Sequence, residues 1–245
     1  MRNIKLTIEY DGTDYFGWQI QKRKRTVQGE ITRALERIFA EKIKLIGAAR
    51  TDSGVHALGQ VANLRTRNIR LTTTALLRAL NSLLPSDIVI KNVKVVADSF
   101  HSRYSAKSKV YRYQILQQPF PSPFERRFSW HIPEVLNWGR IAEASRYFLG
   151  KHDFALFSVR SSVKTSRQCT VIDFKIRKNG NLYILQIGAD FFLYRMVRRV
   201  VGALIEVGRG KIEPEYIRAL VHRKDSTLRA QTAPAHGLFL MKVKY

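Results

Sequence analysis

The sequence predicts an α+β fold, because strand-like and helix-like segments follow one another in an order that is repeated along the chain. Near the N-terminus, Ile4, Leu6 and Ile8 alternate with polar residues, which is typical of a strand with one buried face. Further along, apolar residues recur at helical spacing after Thr26, a residue type favoured at helix N-caps. These are Val27, Ile31, Leu35 and Ile38.

The remaining segments of the first half complete one structural unit. Short apolar or alternating runs predict strands over residues 43–46, 60–64 and 88–96. A second helix is predicted over residues 72–84, and Pro85 should stop it because proline cannot continue a helix. The resulting order is β-α-β-β-α-β, which is that of the ferredoxin-like fold.

The second half is predicted to repeat this order. Asn179-Gly180 is a strong hairpin signal between two of its strands. The predicted strands cover residues 110–116, 170–176, 182–187 and 238–243, and the predicted helices cover 134–149, ended by Gly150, then 191–207 and a segment that starts at Pro214. We therefore expect two ferredoxin-like halves, residues 1–104 and residues 105–245.

The charge of the chain indicates a polyanionic partner. Its 245 residues include 43 Lys and Arg but only 19 Asp and Glu, which gives a formal charge of +24. Phosphate backbones are the commonest partners of such proteins. The sequence shows no apolar stretch long enough to span a bilayer and no signal peptide, so we expect a soluble cytoplasmic protein without a membrane partner. The single cysteine, Cys169, is expected to be a buried thiol, and it excludes an intrachain disulfide and a cysteine-rich zinc site.

One carboxylate stands out within the segment GAARTDSGVHALGQVANL, which starts at Gly47. Asp52 follows Arg50 and precedes Gly54 in an otherwise apolar context, and His56 lies nearby. Glycines suit a sharp turn that brings the main chain close to a ligand. Taken alone, the pattern fits an Asx turn at least as well, since aspartate is a common turn former. The segment therefore predicts either a simple turn or a loop that presents Asp52 to a ligand, and His56 is expected only to form hydrogen bonds within the loop.

Six separated segments, in order along nearly the whole chain, resemble one family. They are YDGTDYFGWQIQ from Tyr10, ARTDSGVHALGQVA from Ala49, FHSRYSAKSKVYRYQI from Phe100, LGKHDFALF from Leu149, FLYRMVRRVVGALIEVG from Phe192 and PAHGLFLMKVKY from Pro234. Together they resemble the TruA family of tRNA pseudouridine synthases. Three positions depart from the family pattern: Ala49 stands where glycine is usual, and Ser53 and Ser102 stand where alanine is usual.

The resemblance implies the pseudouridine synthase fold, in which two ferredoxin-like halves are fused into a central antiparallel sheet with the active-site cleft between them. It implies an isomerase that converts uridine to pseudouridine at positions 38, 39 and 40 of the tRNA anticodon arm. It also implies a homodimer that holds the tRNA with both subunits. No cofactor or metal is expected, since the reaction oxidises, hydrolyses and transfers nothing.

Two charged residues receive roles from the resemblance. Asp52 would be the nucleophile, because a carboxylate can add covalently to a substrate and leave again. Arg198 would keep that carboxylate ionised in a site shielded from water. Without the resemblance, Arg198 fits equally well on a solvated basic helix face with Arg195 and Arg199, and after it these two neighbours are expected to face RNA.

Two further residues would hold the target base. Tyr111 would stack on the uracil and manage the C5 proton, and Leu238 would form an apolar wall on the other side. The strand alternation places Tyr111 on the same face as Tyr113 and Ile115. The ordinary alternative for both Tyr111 and Leu238 is a place in the hydrophobic core.

Basic residues would bind the tRNA itself. Arg50 is expected to fill the space left by the extruded base, or simply to contact a phosphate. Arg103 is expected to contact substrate, together with other basic residues of weak individual specificity. These are Lys22, Arg23, Lys24, Arg25, Arg65, Arg67, Arg70, Lys107 and Lys109.

Two other function classes remain open on the residues alone. A non-catalytic RNA-binding protein could be built from the same two halves and would carry the same charge. A nuclease would normally show an acidic metal-binding cluster or paired histidines, and the sequence suggests neither. Substitution of Asp52 separates the first alternative from the enzyme.

Overall fold

The structure, a computed structural model, describes residues 1–68, 70–159, 168–222 and 230–245. The chain divides into two compact units. The first unit contains Met1–Lys107 together with Phe239–Tyr245, and the second contains Ser108–Leu238.

The first unit begins with the predicted β-α-β-β-α-β order. Its elements are β1 (Arg2–Tyr10), α1 (Val27–Phe39), β2 (Ile46–Gly47), β3 (His56–Thr66), α2 (Thr73–Leu83) and β4 (Ile88–Val96). The buried face of β1 is the predicted one, since Ile4, Leu6 and Ile8 are almost fully enclosed. The helix α2 begins at its N-cap Thr72, whose side chain accepts a hydrogen bond from the main chain of Ala75.

The second unit is richer in short elements. It contains β5 (Ser108–Gln117), β6 (Trp130–Ile132), α3 (Trp138–Arg146), β7 (Gly150–Asp153), β8 (Gln168–Asn179), β9 (Leu182–Ala189), α4 (Met196–Gly208) and α5 (Pro214–Val221). The last strand, β10 (Leu238–Lys244), starts at the end of the second unit and continues in the first.

Strand pairing in the first unit follows the ferredoxin-like order β4-β1-β3-β2. The strand β1 is antiparallel to both neighbours, with Ile4 opposite Leu64 of β3 and Leu6 opposite Val93 of β4. The short β2 pairs with β3 in antiparallel fashion, and β10 runs parallel to another part of β3, where Phe239 faces His56. The predicted α+β class with mostly antiparallel pairing is therefore confirmed.

Strand pairing in the second unit centres on β9. The order is β5-β9-β8-β7, with antiparallel pairing throughout, and β6 adds to β5 in parallel. The predicted hairpin at Asn179-Gly180 is confirmed, because Asn179 pairs with Leu182 and Gly180 has a φ of 57°. A positive φ at this turn is readily adopted by glycine.

Several predicted boundaries were wrong. The helix α3 begins after Asn137, whose side chain accepts from the main chain of Arg140, so residues 134–137 lie outside it. Gly150 does not end this helix but starts β7 with a φ of 95°. The helix α4 begins at Met196 and not at residue 191, because Arg195 has a left-handed φ of 61° that no α-helix can contain.

Other elements differ from the prediction in extent. The strand expected over residues 43–46 is reduced to β2, and the short strands β6 and β7 were not predicted. The expectation of a buried thiol is confirmed, because Cys169 is enclosed against the sulfur of Met196 at 3.7 Å. Burial raises the pKa of that thiol to about 12. Within the described ranges, no helix is both long and apolar enough to cross a membrane.

A testable prediction concerns Gly59, where β3 and β10 lie so close that a side chain has no room. A Cβ added at Gly59 would lie 2.4 Å from the main-chain oxygen of Met241, which is far inside van der Waals contact. We expect Gly59→Ala to lower the free energy of unfolding by about 3 kcal/mol, as measured by urea denaturation. The matched control is Gly180→Ala, where the added Cβ meets nothing within 4 Å and only the positive φ is strained, at a cost of about 1 kcal/mol. Equal costs for the two variants would contradict the close approach.

Candidate active site

The loop that carries Asp52, residues 48–55, runs between β2 and β3, and we call it the Asp52 loop. Its start is held by Gln60, a fully buried side chain on β3. The amide of Gln60 donates to the main-chain oxygen of Ala49 at 2.8 Å and accepts from the main-chain nitrogen of the same residue at 3.3 Å. A buried amide satisfied in this way fixes the backbone locally. Gln60 is a positioning residue that the sequence did not single out.

The tip of the Asp52 loop is a turn closed by main-chain atoms. The nitrogen of Val55 donates to the main-chain oxygen of Asp52 at 3.2 Å, so this closure does not use the carboxylate. The Asp52 side chain is half-buried, and the hydroxyl of the neighbouring Thr51 is hydrogen-bonded to the buried hydroxyl of Tyr10 at 2.8 Å. Arg50 is exposed. The loop therefore presents its carboxylate from a rigid turn and its arginine to solvent.

A second loop, residues 11–18, packs along the Asp52 loop, and we call it the anchoring loop. The main-chain nitrogen of Trp18 donates to the oxygen of Thr51 at 3.1 Å. In the other direction, the nitrogen of Gly54 donates to the oxygen of Tyr15 at 3.4 Å. The two loops are thus joined by main-chain hydrogen bonds on both sides of Asp52.

Two glycines make this close approach possible. A Cβ at Gly12 would lie 2.0 Å from the main-chain oxygen of Val55, and a Cβ at Gly17 would lie 2.5 Å from that of Thr51. Gly17 also has a φ of 81°, which disfavours any other residue. The predicted role of glycine in the Asp52 segment is confirmed as well, because Gly54 has a φ of 76° and a Cβ added at Gly47 would lie 2.4 Å from Nε1 of Trp18.

His56, the first residue of β3, contacts the anchoring loop. Its ring is buried and stacks on Phe239 with a centroid distance of 4.7 Å. Its Nδ1 accepts from the main-chain nitrogen of Gly12 at 3.0 Å and lies 3.0 Å from a carboxylate oxygen of Asp11. His56 was expected to form hydrogen bonds within the Asp52 loop, and these two contacts are instead with the anchoring loop.

The two serines at atypical family positions both have hydrogen-bond partners. The hydroxyl of Ser53 donates to the main-chain oxygen of Tyr15 at 3.0 Å. The hydroxyl of the buried Ser102 donates to the main-chain oxygen of Ile46 at 2.6 Å. Each hydroxyl thus adds a contact that alanine could not make.

Arg103 lies on an exposed turn of the first unit. The turn is held by His101, whose Nδ1 accepts from the main-chain nitrogens of Arg103 and Tyr104, both at 3.2 Å. The guanidinium of Arg103 lies 5.6 Å from the ring centre of Tyr104, whose side chain is 77% exposed. A cation beside an exposed aromatic ring can contact both phosphate and base.

Tyr111 lies on β5 in the second unit. It is buried, as are Tyr113 and Ile115, so the predicted common face is confirmed. It pairs with Ile187 of β9, and its ring packs edge-on against Phe192 with a centroid distance of 4.9 Å. The ring is therefore held in a fixed orientation by apolar neighbours.

Arg198 lies on α4 and is half-buried in the second unit. Its Nε donates to the main-chain oxygen of Ala233 at 2.7 Å, and the nitrogen of Ala233 donates back to the main-chain oxygen of Arg198 at 3.1 Å. This reciprocal pair fixes the orientation of the guanidinium and ties down the segment before β10. Met196, Val197 and Val200 of the same helix are buried.

The two neighbouring arginines differ from each other. Arg195 is exposed beside the ring of Tyr194, at 5.0 Å, which fits the expected contact with RNA. Arg199 is half-buried, its Nη1 donates to the main-chain oxygen of Ser158 at 3.2 Å, and burial lowers its pKa. The expectation that Arg199 faces RNA stays a prediction, although its guanidinium already bonds to the protein backbone.

The segment that leads into Leu238 is packed against Tyr113. The hydroxyl of Tyr113 donates to the main-chain oxygen of Pro234 at 2.8 Å, and a Cβ at Gly237 would lie 2.7 Å from the Tyr113 ring. Burial and the nearby positive charge of Arg198 lower the pKa of His236. Leu238 itself is buried. The sequence did not indicate that Tyr113 and His236 belong to this cluster, because their proximity to Arg198 depends on tertiary packing.

The predicted site residues thus fall in both units. Asp52, Arg50 and Arg103 belong to the first unit, and Tyr111, Arg198 and Leu238 belong to the second. Among the residues that the structure describes, no group of three or more His, Cys, Asp and Glu side chains is arranged to hold a metal ion.

Comparison with known proteins identifies the family. A family model described as tRNA pseudouridine synthase matches residues 6–105 and 144–245. The protein named tRNA pseudouridine synthase A from Thermoanaerobacter sp. (strain X514) is 47% identical over 245 residues, with full coverage of both chains. Its namesake from Acetivibrio thermocellus is also 47% identical, and tRNA pseudouridine synthase A 2 from Clostridium perfringens is 46% identical, each over 246 residues and the full length of both chains. The family model and the full-length relatives agree with the six motifs, and the chain belongs to the tRNA pseudouridine synthase family.

Proposed function

We propose that this protein isomerises uridine to pseudouridine in tRNA, at positions 38, 39 and 40 of the anticodon arm. The observation that carries the proposal is the full-length similarity to proteins named tRNA pseudouridine synthase A, in a chain that holds Asp52 in a rigid, half-buried turn. In this reaction the bond from N1 to C1′ breaks, the uracil turns, C5 bonds to C1′, the C5 proton leaves and N1 takes up a proton. Atoms and electrons balance without a cofactor.

Asp52 is proposed as the nucleophile. Its main-chain oxygen already closes the turn with Val55. The residues on both sides of Asp52 are hydrogen-bonded to the main chain of the anchoring loop. A carboxylate presented in this way needs little rearrangement before it reacts with a bound nucleotide, which lowers the entropic part of the barrier. Covalent addition of a carboxylate followed by its departure then divides the isomerisation into two easier steps.

Arg198 and Tyr111 are proposed to act on the same nucleotide as Asp52. A guanidinium favours the ionised form of a neighbouring carboxylate, and the bond from Arg198 Nε to Ala233 would set its direction. Tyr111 would stack on the uracil, and its hydroxyl would manage the loss of the C5 proton once C5 has bonded to C1′. The packing of its ring against Phe192 supports this role, because a base platform must itself be immobile.

The remaining residues are proposed to admit and hold the RNA. The target uridine must leave its stack, at a cost of a few kcal/mol, and a side chain that fills the gap offsets part of that cost. Arg50 is assigned to that gap because it is exposed two residues before Asp52. Leu238 would pack against the other face of the base. Arg103 would contact the RNA backbone beside the exposed ring of Tyr104. We further propose that the protein acts in the cytoplasm as a homodimer, with one tRNA held by both subunits.

The first prediction concerns the nucleophile. Asp52→Asn keeps the size of the side chain and removes its charge, so we expect the rate of pseudouridine formation to fall by at least about 1,000-fold. The affinity for tRNA should stay within about 3-fold of the original value, since the phosphate contacts are unchanged. The measurement is chemical labelling of pseudouridine and primer extension on an unmodified tRNA with uridines at positions 38 to 40.

The matched control for this experiment is Asp98→Asn, which neutralises an exposed aspartate of the same unit. Full activity is expected for it. If the protein with its original sequence binds several tRNAs tightly and forms pseudouridine in none of them, it is a non-catalytic RNA-binding protein and the catalytic assignments are wrong.

The second prediction concerns the hydroxyl of Tyr111. Tyr111→Phe keeps the stacking ring and removes the group assigned to the C5 proton, so the single-turnover rate should fall by about 100-fold with little change in tRNA affinity. Tyr183→Phe removes a hydroxyl from a ring that stacks on Trp138 in the same unit, and it should leave the rate unchanged. A Tyr111→Phe protein that weakens binding but keeps the rate would show that the residue is only a binding contact.

The third prediction concerns salt. With a net charge of +24, binding should release many counterions from the tRNA, so its affinity should fall at least about 10-fold between roughly 50 and 200 mM KCl. Filter binding over this range gives the slope of log affinity against log salt. Arg103→Ala should make this slope less steep by about one, whereas Arg209→Ala should not, because Arg209 is paired with Glu134 and Glu206.

A further inference from the structure

One residue of the anchoring loop, Tyr15, contacts both residues that follow Asp52. The main-chain oxygen of Tyr15 accepts two hydrogen bonds, from the hydroxyl of Ser53 at 3.0 Å and from the nitrogen of Gly54 at 3.4 Å. Ser53 and Gly54 are the two residues that directly follow Asp52 in the sequence. The Tyr15 backbone therefore holds the turn on the side that follows Asp52, while Trp18 holds the side that precedes it.

The side chain of Tyr15 is in turn held by two charged residues. Its ring is buried, and its hydroxyl donates to the carboxylate of Asp87 and accepts from Nη2 of Arg25 at 2.8 Å. The guanidinium of Arg25 also lies over the Tyr15 ring, 4.3 Å from its centre. Burial and the neighbouring carboxylate of Asp87 raise the pKa of the Tyr15 hydroxyl, so it remains a donor.

Asp87 and Arg25 are also bound to each other and to the main chain of the anchoring loop. Nη2 of Arg25 lies 3.1 Å from the carboxylate of Asp87. The main-chain oxygen of Asp87 accepts from Asp11 at 3.0 Å, and that of Arg25 accepts from Phe16 at 2.9 Å. Asp87 comes from the connection between α2 and β4, so the cluster joins three separate segments of the first unit.

We propose that Tyr15, Arg25 and Asp87 form a positioning cluster that sets the Asp52 carboxylate in its reactive geometry. This inference rests on the proposed function, since it concerns the rate of the same isomerisation. The cluster acts through the Tyr15 backbone and has no part in the chemistry itself. It also changes the role of Arg25, which the sequence placed in a basic run for tRNA docking.

The physical basis is the sensitivity of reaction rates to alignment. A displacement of about 1 Å in a reacting group can lower a rate by about 100-fold. Without its hydroxyl bonds, the Tyr15 ring would be held by packing alone, and small rotations would move the oxygen that Ser53 and Gly54 share. A group held by buried, charge-assisted hydrogen bonds has far less freedom of this kind.

The test uses two conservative variants of the full-length protein. Tyr15→Phe removes the hydroxyl and keeps the ring, and Asp87→Asn removes the charge and keeps the shape. With enzyme in saturating excess over tRNA, the single-turnover rate constant does not depend on the fraction of folded enzyme, so a loss of stability alone leaves it unchanged. We expect this constant to fall by about 10-fold to 100-fold in each variant, with the tRNA dissociation constant within about 3-fold.

A third variant separates positioning from docking. In Arg25→Gln, a positioning role lowers the saturated rate constant and leaves the dissociation constant nearly unchanged, whereas a phosphate contact weakens binding and leaves the saturated rate constant unchanged. The matched control is Glu9→Gln, which breaks the exposed ion pair with Lys91 in the same unit. This control should have the original rate constant and affinity.

Each outcome decides one of the two proposals. Unchanged rate constants in Tyr15→Phe and Asp87→Asn would overturn the positioning cluster while the proposed function stands. If the original protein forms no pseudouridine, the proposed function fails before the variants are compared. If one variant does not fold, as judged by circular dichroism, the other two still measure the rate constant, and unchanged values in both would overturn the proposal.

Discussion

Close main-chain contact between two loops is the constraint on which the candidate site depends. The anchoring loop and the Asp52 loop approach so closely that Gly12 and Gly17 have no room for a side chain. Hydrogen bonds then run in both directions, from Trp18 to Thr51 and from Gly54 to Tyr15. Because the backbone supplies these bonds, the turn at Asp52 is fixed without using the carboxylate for its closure. The loop is thus ordered by its backbone, as the nucleophile role proposed for Asp52 requires.

The buried polar groups around these loops also hold the Asp52 loop in one arrangement. Gln60 is fully enclosed and satisfies both main-chain groups of Ala49, and the hydroxyl of Tyr10 bonds to that of Thr51. A buried polar group is costly unless it is hydrogen-bonded, so each of them strongly favours the single backbone arrangement that satisfies it. The basic residues assigned to RNA differ in this respect, since Arg50 and Arg103 are exposed at the ends of ordered turns.

Much of the fold could be predicted from the sequence, because local patterns govern it. The alternation in β1, the proline after α2 and the Asn179-Gly180 turn each act within a few residues, and each prediction was confirmed. The start of α4 was not predictable in this way, since residues 191–195 are mostly apolar, like the helix that follows, and the boundary lies at the left-handed Arg195. In the candidate site, motifs singled out Asp52, but Gln60, Tyr15 and Asp87 were not recognised, because their importance comes from contacts distant in sequence.

In the second unit, too, hydrogen bonds to the main chain fix a segment of the candidate site. The bonds between Arg198 and Ala233 and the bond from Tyr113 to Pro234 hold the segment that ends at Leu238. An arginine that served only as a charge would need none of these contacts, and a lysine could replace it. Because the guanidinium is planar, the bond from Nε to the backbone also fixes the direction of its two terminal nitrogens. Arg198 is therefore held in a fixed orientation, as the electrostatic role proposed for it requires.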